Sequence, residues 1–272
     1  MTDTVPDQRA IIAALSDQWD QLTRLVDALP EERWRISSPL PGWTVFDVLA
    51  HITGTESLLA GEPTPDLEVG GDHIHNPIGA LNEKWIASLR PLPGAELLER
   101  FHQVTAGRLK TLAGLAPEAW AEPGPSPVGI TPYGRFMRIR VFDCWMHTLD
   151  IADALDVSID EGGVQAETAF PEVIFGLGRA VVKGGGAPEG ARVTFELTGP
   201  VAHTLHIAVV GGRANPVDTL DGPADVVLTL DSGLFARLRG GRTTADAHLG
   251  AFTIAGDTEL GNRLVRGLTF TI

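Results

Sequence analysis

The sequence predicts a multidomain protein of class α and α+β: a four-helix bundle over residues 1–156 followed by a small α+β domain over residues 168–272. Three observations predict it. Up to about Leu155, apolar residues recur in steps of three and four, the period of amphipathic helices. Later, residues 192–198 and 203–209 alternate apolar and polar groups, the period of strands. Between the two halves, residues 156–167 form a polar stretch with a glycine pair, which reads as a linker.

The elements follow in order. Ile11, Ile12, Leu15, Trp19, Leu22, Leu25, Val26 and Leu29 define a helix over 7–29, stopped by Pro30. Residues 37–43 are rich in turn formers. Thr44 and Asp47 then have the spacing of a capping box, so a helix carrying His51 should run to about Ala60. Residues 61–77, rich in proline, glycine and acids, read as a loop or lid; His73 and His75 within it are expected to be solvated. Helical patterns return at 78–90 and 94–113. Pro117 to Thr131 reads as a second loop, with Thr131 and Pro132 as N-cap and first residue of a long helix ending near Leu155. In the second half the pattern predicts a helix over 171–183, the two strands above as an antiparallel pair, and a third strand over 225–230. A helix over 231–239, a short strand over 252–254, a last helix over 258–266 and a candidate edge strand over 268–272 complete it.

Composition narrows the function. The 272 residues carry a formal net charge of −14, which repels nucleic-acid phosphates and anionic membranes and argues against both as partners. No apolar run approaches the ~20 residues of a membrane span, and the start lacks a basic segment followed by an apolar core, so a cytoplasmic location is expected. The single cysteine, Cys144, excludes an internal disulfide framework and a cysteine-rich metal site. A metal ion would have to be held by His, Asp and Glu.

The helix ending near Leu155 carries a stripe suited to that. At about 100° per residue, Arg140, Asp143, His147 and Asp150 share one arc, while Phe142, Trp145, Met146 and Leu149 lie opposite. Asp143 and His147 stand at i and i+4, a spacing at which both can reach one ion, although most such pairs are surface ion pairs. His51 on a neighbouring helix is the candidate third ligand. Two histidines and a carboxylate are a common set for catalytic zinc, with the fourth position left for water or substrate; with two open positions the set suits ferrous iron. Arg140 most simply pairs with a nearby carboxylate. Asp150 either orients His147 or acts as a base. Cys144 reads as packing, and His203 and His206 as cross-strand residues. Neither Gly184-Gly-Gly186 nor Gly240-Gly241 follows a strand and opens a helix in the manner of a dinucleotide site.

Two of these segments resemble a known family. Leu40-Pro-Gly-Trp-Thr-Val-Phe-Asp-Val-Leu-Ala-His51 and Arg140-Val-Phe-Asp-Cys-Trp-Met-His-Thr-Leu-Asp150 resemble the signatures of the mycothiol-dependent maleylpyruvate isomerase-like proteins of actinobacteria. The resemblance implies a DinB-like bundle followed by a domain similar to sterol carrier protein 2 (SCP2), the latter carried by residues 234–242, Gly250 and Gly256-Asp257. It implies zinc (Zn2+) on His51, Asp143 and His147, with aspartate where the family usually has glutamate. It further implies mycothiol as thiol cosubstrate and a small electrophile as substrate. The thiolate would add to a cis double bond, allow rotation and leave, as an isomerase, or remain attached, as an S-transferase. Arg140 is then a candidate contact to the thiol cofactor, Asp150 a candidate catalytic residue, and Arg242 a candidate to bind a substrate carboxylate bidentately. Two other functions are carried alongside: a metal-dependent hydrolase using the same bundle, and a non-catalytic small-ligand-binding protein whose metal site has decayed.

Overall fold

The computed structural model describes residues 5–270. The chain divides into two compact units, the first ending at Ile159 and the second beginning at Asp160.

The first unit is helical. Helix α1 (Gln8–Val26) starts after Asp7, whose side chain accepts from the Ala10 amide. A single turn, α2 (Glu31–Trp34), precedes α3 (Val45–Leu59). The capping box expected at α3 is present in both directions between Thr44 and Asp47. Helix α4 (Pro77–Leu89) is capped by Asn76 and has proline in its first turn. Helix α5 (Gly94–Ala113) follows. After α6 (Pro117–Ala121) and the strands β1 (Pro123–Ser126) and β2 (Gly129–Pro132) comes α7 (Tyr133–Leu155), the longest helix described. Helices α1, α7, α3 and α5 close into a ring in which each packs on two neighbours, and this is the predicted four-helix bundle. Leu15, Trp19, Leu22, Leu49, Ile52, Phe101, Val141 and Leu149 are buried in its core. Helix α4 lies on the outside of α3. It approaches through Gly54, where an added Cβ would sit 2.4 Å from the Trp85 side chain.

The loop expected over 117–131 is instead a helical turn and a hairpin. Proline-rich extended backbone at 123–126 pairs with 129–132, and Gly129 takes φ +102° at the turn. Thr131 and Pro132 therefore end a strand; the helix cap is Pro132 and the first helical residue is Tyr133.

The second unit begins with α8 (Gly163–Val173), α9 (Leu177–Arg179) and a wide turn over 180–184. The helix expected over 171–183 thus starts eight residues earlier. Pro171, read as a first-turn residue, lies inside α8 near its end, and part of the expected linker is helical. Strands β3 (Arg192–Thr198), β4 (His203–Val210), β5 (Arg213–Val217), β6 (Val226–Asp231) and β7 (Phe252–Gly256) form one sheet in the order β5-β4-β3-β6-β7. β3 is antiparallel to β4, as expected, and parallel to β6. β5 was not predicted, because Arg-Ala-Asn-Pro-Val lacks alternation; it forms an edge, where Pro216 is tolerated. Helices α10 (Ser232–Arg239) and α11 (Thr258–Arg266) pack on β6.

The edge strand expected over 268–272 is not formed by Leu268–Phe270, and the last two residues lie outside the described range. Buried Arg239 organises that segment instead. It donates to the carbonyls of Val173, Phe175 and Leu268, and its guanidinium lies 4.0 Å over the Phe270 ring. No helix among the described residues is long and apolar enough to cross a membrane.

Candidate metal centre

Packing of α3 against α7 brings His51 opposite Asp143 and His147. One ligand atom from each of the three lies within 4.8 Å of the other two. His51 Nε2 is 3.2 Å from Asp143 Oδ2, and His147 Nε2 is 3.6 Å from Asp143 Oδ1. The two imidazole rings meet edge-on with centroids 4.9 Å apart. Both histidines are 5% exposed, whereas the Asp143 side chain is 28% exposed, so the cluster meets solvent at its carboxylate.

Asp150 sits behind His147, with Oδ2 2.9 Å from Nδ1, and is fully buried. A carboxylate only accepts, so His147 donates its Nδ1–H there, and the Nε2 lone pair of the neutral ring then faces Asp143 and His51. That is the arrangement by which an outer carboxylate sets the tautomer of a ligating histidine.

Arg140 lies behind Asp143. Its Nη1 donates to Asp143 Oδ2 at 2.6 Å, its Nε to Glu56 Oε1 at 2.9 Å, and its Nη2 lies 3.8 Å from Cys144 Sγ. It is 4% exposed. Glu56, on α3, uses its other oxygen to accept from Arg108 Nε of α5 at 2.9 Å, and Arg108 also donates to the Tyr133 hydroxyl at 3.0 Å. The residue assigned from sequence to the thiol cofactor thus directs its donors at protein groups. Neither Glu56 nor Arg108 was singled out from the sequence. An acid inside the apolar run of α3 and the expectation that Arg140 pairs with a carboxylate were the available signals for Glu56.

These neighbours set the charge states. Burial pushes the Asp143 carboxyl up, but Arg140, His147 and His51 together outweigh it and hold the group well below the usual range. Burial lowers His51, with Asp143 acting against it, which favours the neutral, metal-binding imidazole at neutral pH. Arg140 is raised: burial works against its charge, and Asp143, Cys144 and Glu56 overcome it. Burial pushes the Cys144 thiol up to about 12, so the one cysteine is a packing residue, as expected.

The donor set fits a borderline divalent ion: two imidazoles, one carboxylate and no thiolate. The Nδ1 of His51 is buried without a hydrogen-bond partner, whereas a ligating histidine usually donates its second ring N–H to an outer acceptor, so the fit rests on the donor set and on the His147–Asp150 pair. Such an unmet nitrogen costs about 1–3 kcal/mol.

The other sequence candidates are placed elsewhere. Arg242 belongs to the second unit, where its Nη1 donates to the Gly240 carbonyl at 2.6 Å. His206 bridges β4 to β3 through Thr194 Oγ1 at 3.0 Å, a cross-strand role as read from the sequence. His203 stacks on Phe170 and lies 3.4 Å from Glu167. His73 is not simply solvated; it reaches Glu83 at 3.2 Å.

Residues 15–152, just over half of the chain, match the family model described as the mycothiol maleylpyruvate isomerase N-terminal domain. An uncharacterised protein of Mycobacterium tuberculosis, found in two strains, is 30% identical over 158 residues, which are 56% of this chain and 58% of that protein. The match thus spans less than two thirds of those curated relatives. Two crystal structures of the mycothiol-dependent maleylpyruvate isomerase, one of a histidine-to-alanine mutant, share the fold. They superpose with TM-scores of 0.56 and 0.58 at 18% and 17% identity, covering 89% and 94% of this chain and 92% and 95% of theirs.

Proposed function

The chain belongs to the mycothiol maleylpyruvate isomerase N-terminal domain family, and from that premise we propose that it is a metal-dependent enzyme using mycothiol to isomerise or S-conjugate a small electrophile. One observation carries the reading: His51, Asp143 and His147 converge within 4.8 Å, with Asp150 directing the Nε2 lone pair of His147 at the same point. His51, Asp143 and His147 would hold the ion, and zinc suits them best. A zinc ion there would lower the pKa of a thiol, the chemistry that favours the reactive thiolate at neutral pH.

The chain's own residues do the rest. Asp150 fixes the tautomer and direction of His147. Arg140 keeps Asp143 ionised and aimed, as a positioning residue rather than a contact to the thiol. Burial keeps Cys144 protonated, so it does not compete as nucleophile. The exposed edge of the Asp143 carboxylate marks where thiol and electrophile approach. Arg242 is kept as the group in the second unit that binds a substrate carboxylate, and the likeness of that unit to sterol carrier protein 2 is part of the same proposal. Partners are then small molecules, and the location cytoplasmic.

The geometry favours this reading over the hydrolase, because Asp150, the candidate base for that reaction, is fully buried and bonded to His147. Convergence of all three donors disfavours a decayed site. Elemental analysis and a thiol-conjugation screen test the proposal. About one equivalent of zinc and turnover that requires mycothiol are expected. A metal content under roughly a tenth of an equivalent, unrestored by added zinc, sinks the metal reading; turnover indifferent to the thiol sinks the thiol reading.

A further inference from the structure

We infer that Glu83 is a positioning residue for this cluster: its buried carboxylate clamps the Trp43 indole against the two histidine rings and ties residues 60–76, the connection from α3 to α4, to the same point. The purpose given to the clamp rests on the proposed metal centre, but the clamp is read from contacts that stand without it.

Trp43 lies beside the cluster, its ring centroid 5.2 Å from that of His51 and 6.1 Å from that of His147. The indole Nε1–H donates to Glu83 Oε2 at 3.3 Å. The same oxygen accepts from His73 Nε2–H at 3.2 Å, and Glu83 Oε1 pairs with Arg90 Nη1 at 2.6 Å. Arg90 in turn donates through Nε to Asp47 Oδ1 at 2.9 Å, and Asp47 closes the capping box of the helix that carries His51. Glu83 is 3% exposed. One buried carboxylate therefore gathers donors from three segments: the turn before α3, the 60–76 connection and the end of α4.

The seat of His73 is specific. A Cβ added at Gly42 would lie 2.9 Å from His73 Nδ1, and one at Gly71 would lie 2.7 Å from its Cε1. Both glycines have positive φ, +79° and +148°, which side-chain-bearing residues rarely adopt. The imidazole thus rests in a slot that two glycines leave open, with its donor turned to Glu83. Cutting the His73–Glu83 bond frees the 60–76 connection and loosens the carboxylate that holds the indole, whereas removing the Glu83 carboxylate frees connection and indole together. Either should expose His51 and His147.

The test is the rate at which diethylpyrocarbonate modifies each histidine of the metal-free, full-length protein, read by peptide mass spectrometry. His73→Ala and Glu83→Ala should each speed modification of His51 and His147 by about five-fold or more, the signature of a local opening. His206 and His248 should keep their wild-type rates. Glu83→Gln, which keeps an acceptor for the Trp43 indole, should recover part of the protection lost in Glu83→Ala. Wild-type rates at His51 and His147 in both alanine variants would overturn the inference, and so would an equal rise at every histidine, which reports general loosening. The probe needs no metal. A protein that holds no zinc would fail the proposed function and leave this test intact; one that holds zinc but shows unaltered His51 and His147 reactivity would keep that function and lose the clamp.

Discussion

Asp150 Oδ2 lies 2.9 Å from His147 Nδ1, one turn along the same helix, with the carboxylate fully buried and the imidazole 5% exposed. The pair commits one face of the ring to the protein and leaves the other for the point where His51 and Asp143 converge. Asp150→Asn keeps the shape but no longer requires His147 to donate through Nδ1. Zinc affinity should fall by about 10–100-fold, as for other outer partners of ligating histidines. Competition with a chromophoric chelator measures it, and an unchanged affinity would remove Asp150 from the site.

Removing a ligand should be more drastic than disturbing its support. His147→Ala is expected to abolish stoichiometric zinc binding while the far-ultraviolet circular dichroism of the bundle persists. His206→Ala, in the other unit, serves as the control and should retain the metal. Full metal content in His147→Ala would show that the ligand assignment is wrong.

Arg140 bridges Glu56 and Asp143 at 2.9 and 2.6 Å inside the bundle. Arg140→Leu leaves both carboxylates short of their shared partner, and breaking such a buried pair from one side costs about 3–5 kcal/mol. A urea titration should show that loss directly. Arg140→Lys should recover only part of it, because a point-like ammonium cannot span two carboxylates as the planar guanidinium does.

His51 gives the metal-free protein a pH dependence of definite sign. Its folded-state pKa is lowered from the ordinary value of 6.5, chiefly by burial. The unfolded chain therefore binds the proton more readily than the folded one. This contribution to stability is fully present above about pH 6.5 and is lost as the pH falls through the lowered value. The urea midpoint should drop between pH 7.5 and pH 5.5, a window placed about the ordinary histidine value. The drop should shrink in His51→Gln. An equally steep drop in that variant would assign the dependence to other groups.

Cys144 should be inert in the folded protein. It is fully buried and its thiol is pushed up to about 12, so little thiolate forms at pH 8. Alkylation by iodoacetamide should be at least ~100-fold slower than in the denatured chain. Labelling at the denatured rate would mean that the core around α7 opens freely.

Signals carried within one element were legible. The capping box of Thr44 and Asp47 marked the start of α3, the three- and four-residue steps marked the bundle helices, and alternation marked β3 and β4. Signals without periodicity failed. Pro123 and Pro125 read as loop but pair as a hairpin edge, Pro171 reads as a helix start but lies inside the last turn of one, and β5 has no alternation to see. The site shows the same division. His51, Asp143 and His147 stood out by helix position and family signature, while Glu56, Arg108 and the Glu83 clamp did not.

By itself the sequence determined which residues share a helical face, because a 3.6-residue period is a property of a single segment. It placed Arg140, Asp143, His147 and Asp150 on one stripe and His51 inside another helix. Only the tertiary structure decided what that stripe meets. The packing of α3 on α7 set His51 against Asp143 and turned Arg140 toward Glu56 instead of toward solvent, and the packing of α4 on α3 brought Trp43 and His73 to one carboxylate 40 and 10 residues away along the chain. Those pairings depend on how side chains of distant helices interdigitate, and no local period in the chain records that.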